Sequence, residues 1–306
     1  MNRVRAYAPG SIGNVGPGLD ILGLALRGAG DTVTLAQRPG RGVEVKDPGH
    51  PTLPKDPAHH ASALAAAAVL RRAGSRIGLS LWLKKGLPLS GGQGGSAASA
   101  VAGAVAANAL LGGPLDRVAL LESALEAESV VAGRHLDNIA PALLGGLILV
   151  RSLDPLDVIQ LPVPRRLRIV LAIPDYRLDT RRGRAALPNV VSRAVAIHQA
   201  AQVAALVAAA AADDLSLFGR AIDDRIAEPA RTPLLPGFAA AKRAALRAGA
   251  LGCSISGSGP TAFAVVGARD AAAAVARALI RGYRRDGISC ETRITTPDPV
   301  GAKVIR

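Results

Sequence analysis

The chain has 306 residues, 49% hydrophobic and 20% charged, with 37 basic against 23 acidic residues and a formal net charge of +14. This length exceeds one ordinary core and suits two units of about 150 residues each, and the composition excludes a disordered chain. Two cysteines, Cys253 and Cys290, exclude a disulfide framework, and the absence of a CxxC pair speaks against a cysteine zinc site.

The most apolar stretch, residues 203–212, runs into Asp213 and Asp214, whereas a membrane span needs about 20 apolar residues. Residues 1–5 lack the apolar core of a signal peptide. No membrane and a cytoplasmic setting are therefore expected. The basic excess suits attraction of an anionic metabolite. With aromatics at 2%, the chain has few platforms on which single strands could stack, so no nucleic acid is expected.

In chain order, residues 4–8 form an apparent strand and lead into a first glycine-rich loop, 9–18. Alternation in 31–37 and 42–45 predicts a strand pair turning at Gly40-Arg41-Gly42. A helix over 59–73 stops at Gly74, and 77–83 alternate as a strand. A second glycine-rich loop, 88–96, opens onto a small-residue helix ending near Leu111. Another helix covers 115–131, and strands follow at 145–151 and 158–163. The proline-bounded stretch 161–165 marks a boundary between units 1–164 and 165–306. The second half reads as a strand at 167–173, a helical region from 189 to beyond 217, and a helix at 238–248. Two short strands then flank a third glycine-rich loop, 256–260, before a helix at 270–281 and a strand at 288–294. That order predicts a layered α+β fold.

The second loop reads Pro88-Leu89-Ser90-Gly91-Gly92-Gln93-Gly94-Gly95-Ser96. Small residues let the backbone approach a ligand, so that its N–H groups converge on one oxyanion. The N-terminus of the following helix adds free donors and a partial positive charge. Ser96 stands where a hydroxyl can reach a phosphate-bound metal. No Gly-Lys-Ser/Thr follows, which excludes a Walker loop, and the spacing is not that of a dinucleotide fingerprint.

This loop resembles the second motif of the GHMP kinases, Pro-x-Gly-x-Gly-x-Gly-Ser-Ser-Ala-Ala, departing from it at Ser90-Gly91 and at Gly95. Four further segments match in order: 7–14 with 18–23; Glu128 with 134–141; 179–188; and 226–238. The stretch 254–261 resembles the third motif. The start and the arginines of these segments are most similar to the branch of the family that acts on L-homoserine. Another GHMP kinase, of the mevalonate type, is the alternative.

The resemblance implies a two-domain α+β architecture, with an N-terminal ATP-binding unit like domain 2 of ribosomal protein S5 and a ferredoxin-like C-terminal unit. ATP and Mg²⁺ are implied, with residues 88–96 at the triphosphate and Ser96 and Glu128 on the metal; Glu126 is the alternative ligand. Asn14, Asp20, His135, Arg184, Arg231 and Gly257 would line the substrate pocket. Arg184 and Arg231 would clamp a carboxylate bidentately, and Asp20 would face an ammonium group. Asn138 would orient the acceptor hydroxyl. Whether a general base exists, and so what Asp137 does, is open. A homodimer is likewise left open.

Overall fold

The structure is a computed structural model that describes residues 3–305, the Thr180 side chain excepted. Met1 and Asn2, at the head of the segment read as lacking a leader, and Arg306 lie outside the described residues.

Strands β1 (Arg3–Gly13) and β2 (Leu22–Arg38) form a long antiparallel pair whose register shifts between Pro9 and Ser11. They are followed by β3 (Gly42–Asp47), helix α1 (Ala61–Arg72) and β4 (Gly78–Lys84), and here the structure corrects the expected β2–β3 pair. β4 lies between them, antiparallel to β2 and parallel to β3. Alternation fixes which face of a strand is buried but not its neighbour. The parallel β3–β4 pair needs a long crossover, which α1 supplies.

Helices α2 (Gly95–Leu110), α3 (Arg117–Val131) and α4 (Ile139–Leu144) follow, and then the hairpin β5 (Leu147–Leu153) and β6 (Leu156–Leu161), which joins the sheet at the start of β2. Ten residues of α2 are buried, among them Ala97, Val101 and Ala104, and a helix buried on every side shows no polar stripe. Its small side chains let α1 come close: a Cβ on Gly103 would stand 2.4 Å from the Ser62 carbonyl oxygen. α3 begins at Asp116, whose carboxylate accepts the Ala119 N–H at 2.8 Å.

The second sheet is antiparallel, in the order β10 (Cys290–Thr295), β7 (Arg168–Pro174), β9 (Ala262–Val266) and β8 (Gly252–Ile255). Between β7 and β8 the chain forms α5 (Thr180–Ala185), α6 (Arg193–Ala211), α7 (Leu215–Arg220), α8 (Ala227–Arg231) and α9 (Phe238–Arg247); α10 (Arg269–Arg284) links β9 to β10. One core packs α9 and α10 on this sheet around Phe238, Leu279 and Tyr283. Another joins the two sheets, with Ile12, Leu24 and Leu147 in one cluster with Leu171, Phe218 and Phe263. The final strand, β11 (Lys303–Ile305), pairs with β1. Residues 303–305, which the 165–306 division assigns to the second unit, therefore belong to the first sheet. The α+β architecture itself is as expected.

One expectation about α6 is corrected. At 19 residues it is long and apolar enough to cross a membrane by length and composition, because the apolar run extends N-terminally past His198 and Gln199. In this fold 17% of that apolar window is buried, and the helix is held at a few positions. Gln199 donates to the Pro17 carbonyl at 2.8 Å and to Asp224 at 2.9 Å, and Leu206, Ala209 and Ala210 enter the core between the sheets.

Candidate active site

The glycine-rich loop and the first turn of α2 form one wall of a cavity of about 480 Å³, lined also by the loop after β1, by α3, α5 and α8, and by the loop before α4. Gly94, at φ 65°, occupies the N-cap of α2. A Cβ there would stand 2.3 Å from Ser11 Oγ and 2.8 Å from Asn138 Oδ1, so the close approach and the left-handed backbone both require glycine. Ser96 Oγ, one residue into the helix, donates to Glu128 Oε1 at 2.7 Å.

Glu128 is 6% exposed and its other oxygen, Oε2, is buried without a partner. Burial pushes its carboxyl up to about 7, against the opposing Ser96 hydrogen bond. A buried carboxylate with one free oxygen beside a hydroxyl suits a hard divalent cation, which would favour the ionised form. Among the described residues no cluster of three His, Cys, Asp or Glu side chains is present, so phosphate and water oxygens would have to complete the coordination shell. Glu126, the alternative ligand, points the other way and pairs with Arg71 and Arg72 on the exposed surface. A two-residue offset on a helix places the two side chains on different faces.

The opposite wall carries the substrate-side residues. Asn14, at φ 62°, is a junction. Its backbone N–H donates to Asp137 Oδ2 at 3.0 Å, its amide donates to the Gly257 carbonyl at 3.0 Å, and its Oδ1 accepts the Asp20 N–H at 2.9 Å. Asp20 and Arg184, read as separate grips for an ammonium and a carboxylate, pair with each other at 2.7 and 3.0 Å. Burial raises the Asp20 pKa, but the hydrogen bonds and charge of Arg184 outweigh it and hold it below the usual range.

Arg231 is 2% exposed; its Nε and Nη1 donate to the Gly183 and Gly257 carbonyls at 3.1 and 2.9 Å. Burial and the nearby Arg184 charge lower its pKa. Gly257, at φ 58°, bridges the two sides, since its own N–H donates to the Gly13 carbonyl at 3.0 Å. Asp137 lines the cavity with its Oδ1 buried and unpartnered, and burial raises its pKa. Asn138 Oδ1 accepts from Ser11 Oγ at 2.9 Å, which leaves its amide N–H groups for a ligand. His135 completes this wall with Nδ1 buried and unpartnered.

All the sequence-read site residues line this cavity except Gln93. Gln93 is 1% exposed, donates to Thr261 Oγ1 at 3.4 Å and accepts from Arg293 Nη2 at 2.8 Å. Its side chain ties the loop to the second sheet, so that only the backbone of Gln93 is left to face a ligand.

Sequence reasoning missed Lys85 and Asp31. Lys85 lines the cavity, pairs with the fully buried Asp31, and donates to the Gly95 carbonyl at 3.1 Å and to Ser99 Oγ at 3.2 Å. Asp31 also accepts the Gly86 N–H at 3.0 Å. The available signal was a carboxylate at an inward-facing position of an alternating strand. Arg177 and Arg181 also line the cavity without having been singled out.

The family model described as "GHMP kinases N terminal domain" matches residues 60–146, and "GHMP kinases C terminal" matches 206–285. The chain is 42% identical to a homoserine kinase of Chlorobaculum tepidum, covering 100% of this chain and 99% of the relative. It is 41% identical to a homoserine kinase of Arabidopsis thaliana, covering 99% and 84%. A crystal structure of homoserine kinase from Cytophaga hutchinsonii superposes with a TM-score of 0.95 at 40% identity, covering 100% and 98%. The chain belongs to the GHMP kinase family and, within it, to the homoserine kinases.

Proposed function

We propose that this protein transfers the γ-phosphoryl group of ATP to the side-chain hydroxyl of L-homoserine, giving O-phospho-L-homoserine on the route to threonine. The observation that carries this reading is a single cavity with a backbone-lined anion seat on one wall and a carboxylate–guanidinium set on the other. The full-length kinship with homoserine kinases supports the same substrate. That kinship supports a soluble biosynthetic enzyme, for which we propose a cytoplasmic setting.

Phosphoryl transfer needs positioning and charge neutralisation more than covalent help. The free N–H groups at the start of α2 and the loop backbone would hold the triphosphate, while Ser96 and Glu128 would hold Mg²⁺. When bound, the ion would offset the charge that develops on the phosphoryl oxygens. Arg184 and Arg231 hold the substrate carboxylate and Asp20 its ammonium. Asn138, braced by Ser11, donates to the acceptor oxygen and fixes it in line with the phosphorus. Asp137 holds the Asn14 junction and lies in the same wall as that hydroxyl.

The test is ADP release by the purified protein with L-homoserine, mevalonate or neither, with and without Mg²⁺, and with phosphorus NMR to identify the product. Mg²⁺-dependent release with L-homoserine and a new phosphate-ester signal is the expected result. Equal or faster turnover of mevalonate would sink the substrate assignment.

A further inference from the structure

The positive charge around the cavity is unevenly committed. Lys85 lies beneath the phosphate loop, but its ammonium is paired with Asp31. Arg184 is paired with Asp20, and Arg231 gives two donors to the Gly183 and Gly257 carbonyls. The loop, residues 88–96, has no basic side chain of its own. Its N–H dipoles and the α2 terminus offer only partial charges to a triphosphate, which stays anionic even when metal-bound.

Two cationic side chains in this cavity are uncommitted. Arg177, just before α5, and Arg181, within it, line the cavity, are exposed, and have no ion-pair partner among the described residues. Of the carboxylates near in sequence, Asp175 pairs with neither arginine, and Asp179 accepts the Arg181 backbone N–H at 2.8 Å as the cap of α5.

The position of α5 relative to the phosphate seat follows from backbone contacts. A Cβ built on Gly183, two residues after Arg181, would stand 2.9 Å from Ser258 Cβ. Ser258 belongs to the 256–260 loop, and a Cβ on Gly92 of the phosphate loop would stand 2.7 Å from both the Ser256 and Gly259 carbonyl oxygens. Ser256 Oγ also donates to the Gly92 carbonyl at 2.5 Å. α5, the 256–260 loop and the phosphate loop are thus stacked in direct contact, and an extended arginine side chain spans about 6–7 Å, roughly two residues' length of extended chain.

We propose that Arg177 and Arg181 form a cationic arm that engages the γ-phosphoryl group during transfer, opposite the loop and helix terminus that hold the other phosphates. The proposal rests on the phosphoryl-transfer reading above. In the step they assist, the acceptor hydroxyl oxygen bonds to the γ-phosphorus as the bond to the β,γ-bridging oxygen breaks. The electron pair leaves with ADP, and the hydroxyl proton passes to a phosphoryl oxygen or to water. Guanidinium groups suit this task because they stay charged and can bind two phosphoryl oxygens at once. Residues placed opposite the loop also contribute only when a third phosphate is present, so their effect is selective for ATP over ADP.

The experiment uses the full chain with Arg177→Gln, Arg181→Gln, the double variant and Arg181→Lys. Steady-state rates are measured for both substrates, and calorimetric titrations use ADP and a non-hydrolysable ATP analogue at fixed Mg²⁺. Thermal melts confirm that each variant is folded. The expected result for the double variant is a kcat lowered about 10- to 100-fold, with KM for L-homoserine within about twofold. The analogue's affinity falls while that of ADP is kept, and Arg181→Lys recovers part of the rate. Unchanged kcat would overturn the proposal. So would a raised KM for L-homoserine at unchanged kcat, which would place the arginines on the substrate carboxylate, or equal losses of ADP and analogue affinity. Failure of the underlying reading is seen separately, as absence of homoserine-dependent ADP release by the unaltered protein.

Discussion

Arg184 and Asp20, 164 positions apart in the chain, meet across the cavity in a two-point ion pair at 2.7 and 3.0 Å. The pair closes α5 onto the loop after β1, and it occupies the two groups best suited to a zwitterion. A bound α-amino acid can replace both partners in kind, its ammonium taking Asp20 and its carboxylate taking Arg184. A ligand carrying only one of these charges would open the pair and leave one partner unmatched, which is costly in a partly desolvated site.

The first prediction follows from that exchange. 4-Hydroxybutyrate and 3-aminopropanol, each lacking one charge of L-homoserine, should be turned over at least about 100-fold less efficiently. Asp20→Asn should raise KM for L-homoserine about 10- to 100-fold and leave KM for ATP nearly unchanged. Both partners are more than a third exposed, so the same variant should cost no more than about 1 kcal/mol of stability. A large drop in melting temperature with an unaltered KM would make the pair a structural clasp only.

A second prediction concerns Glu128. Burial raises its carboxyl pKa to about 7, above the value in the unfolded chain, so the unfolded state binds fewer protons between the two values. Stability of the metal-free protein should therefore fall as pH rises from about 4.5 to about 7, by an amount on the order of 1–3 kcal/mol from this group. Mg²⁺ needs the ionised form, and its affinity should rise over the same window. Glu128→Gln removes the titrating group while preserving shape. It should flatten this part of the stability profile, raise the melting temperature at pH 8 without metal, and lower Mg²⁺-dependent turnover at least about 100-fold. A variant less stable than the parent at pH 8 would contradict the account.

The neighbours Asp137 and Asn138 separate in a third prediction. Asn138 lines the cavity, wedged between Ser11 and Gly94 with its amide nitrogen against Gly13, whereas Asp137 anchors the Asn14 backbone at 3.0 Å. Asn138→Ala should lose roughly 100-fold or more in kcat with modest change in either KM. Asp137→Asn keeps an acceptor for the Asn14 N–H and relieves a buried carboxyl, and should lose less. The reverse order would identify Asp137 as the proton acceptor.

The chemistry-bearing segments were legible because each departs from what a packed core wants. A run of glycines before a helix, paired arginines, and Asp20 two residues after Gly18 have little structural use unless they meet a ligand. The neighbours of strands were less legible. The stretches 31–37 and 42–45 alternate correctly, yet the sequence has no local mark for the insertion of β4 between β2 and β3. That pairing is settled by the α1 crossover and by packing across the sheet. The return of β11 to β1 is invisible for the same reason. Lys85 and Asp31 escaped notice because each resembles an ordinary surface charge until the fold buries them together. The direction of the Gln93 side chain was not legible, because loop membership alone does not say which way a side chain turns.

Gln93 bridges Thr261 Oγ1 and Arg293 Nη2, and Arg293 Nε is already buried without a partner. Gln93→Ala would leave both partners unmatched in a buried setting, at a cost of about 1–3 kcal/mol, and should lower the melting temperature by roughly 2–10 °C for a chain of this size. The side chain points away from the cavity, and the loop's own backbone presents the N–H groups. KM for ATP, measured well below the transition, should therefore change by no more than about threefold. A tenfold rise in KM for ATP, with little thermal effect, would mean that the amide turns inward to hold nucleotide.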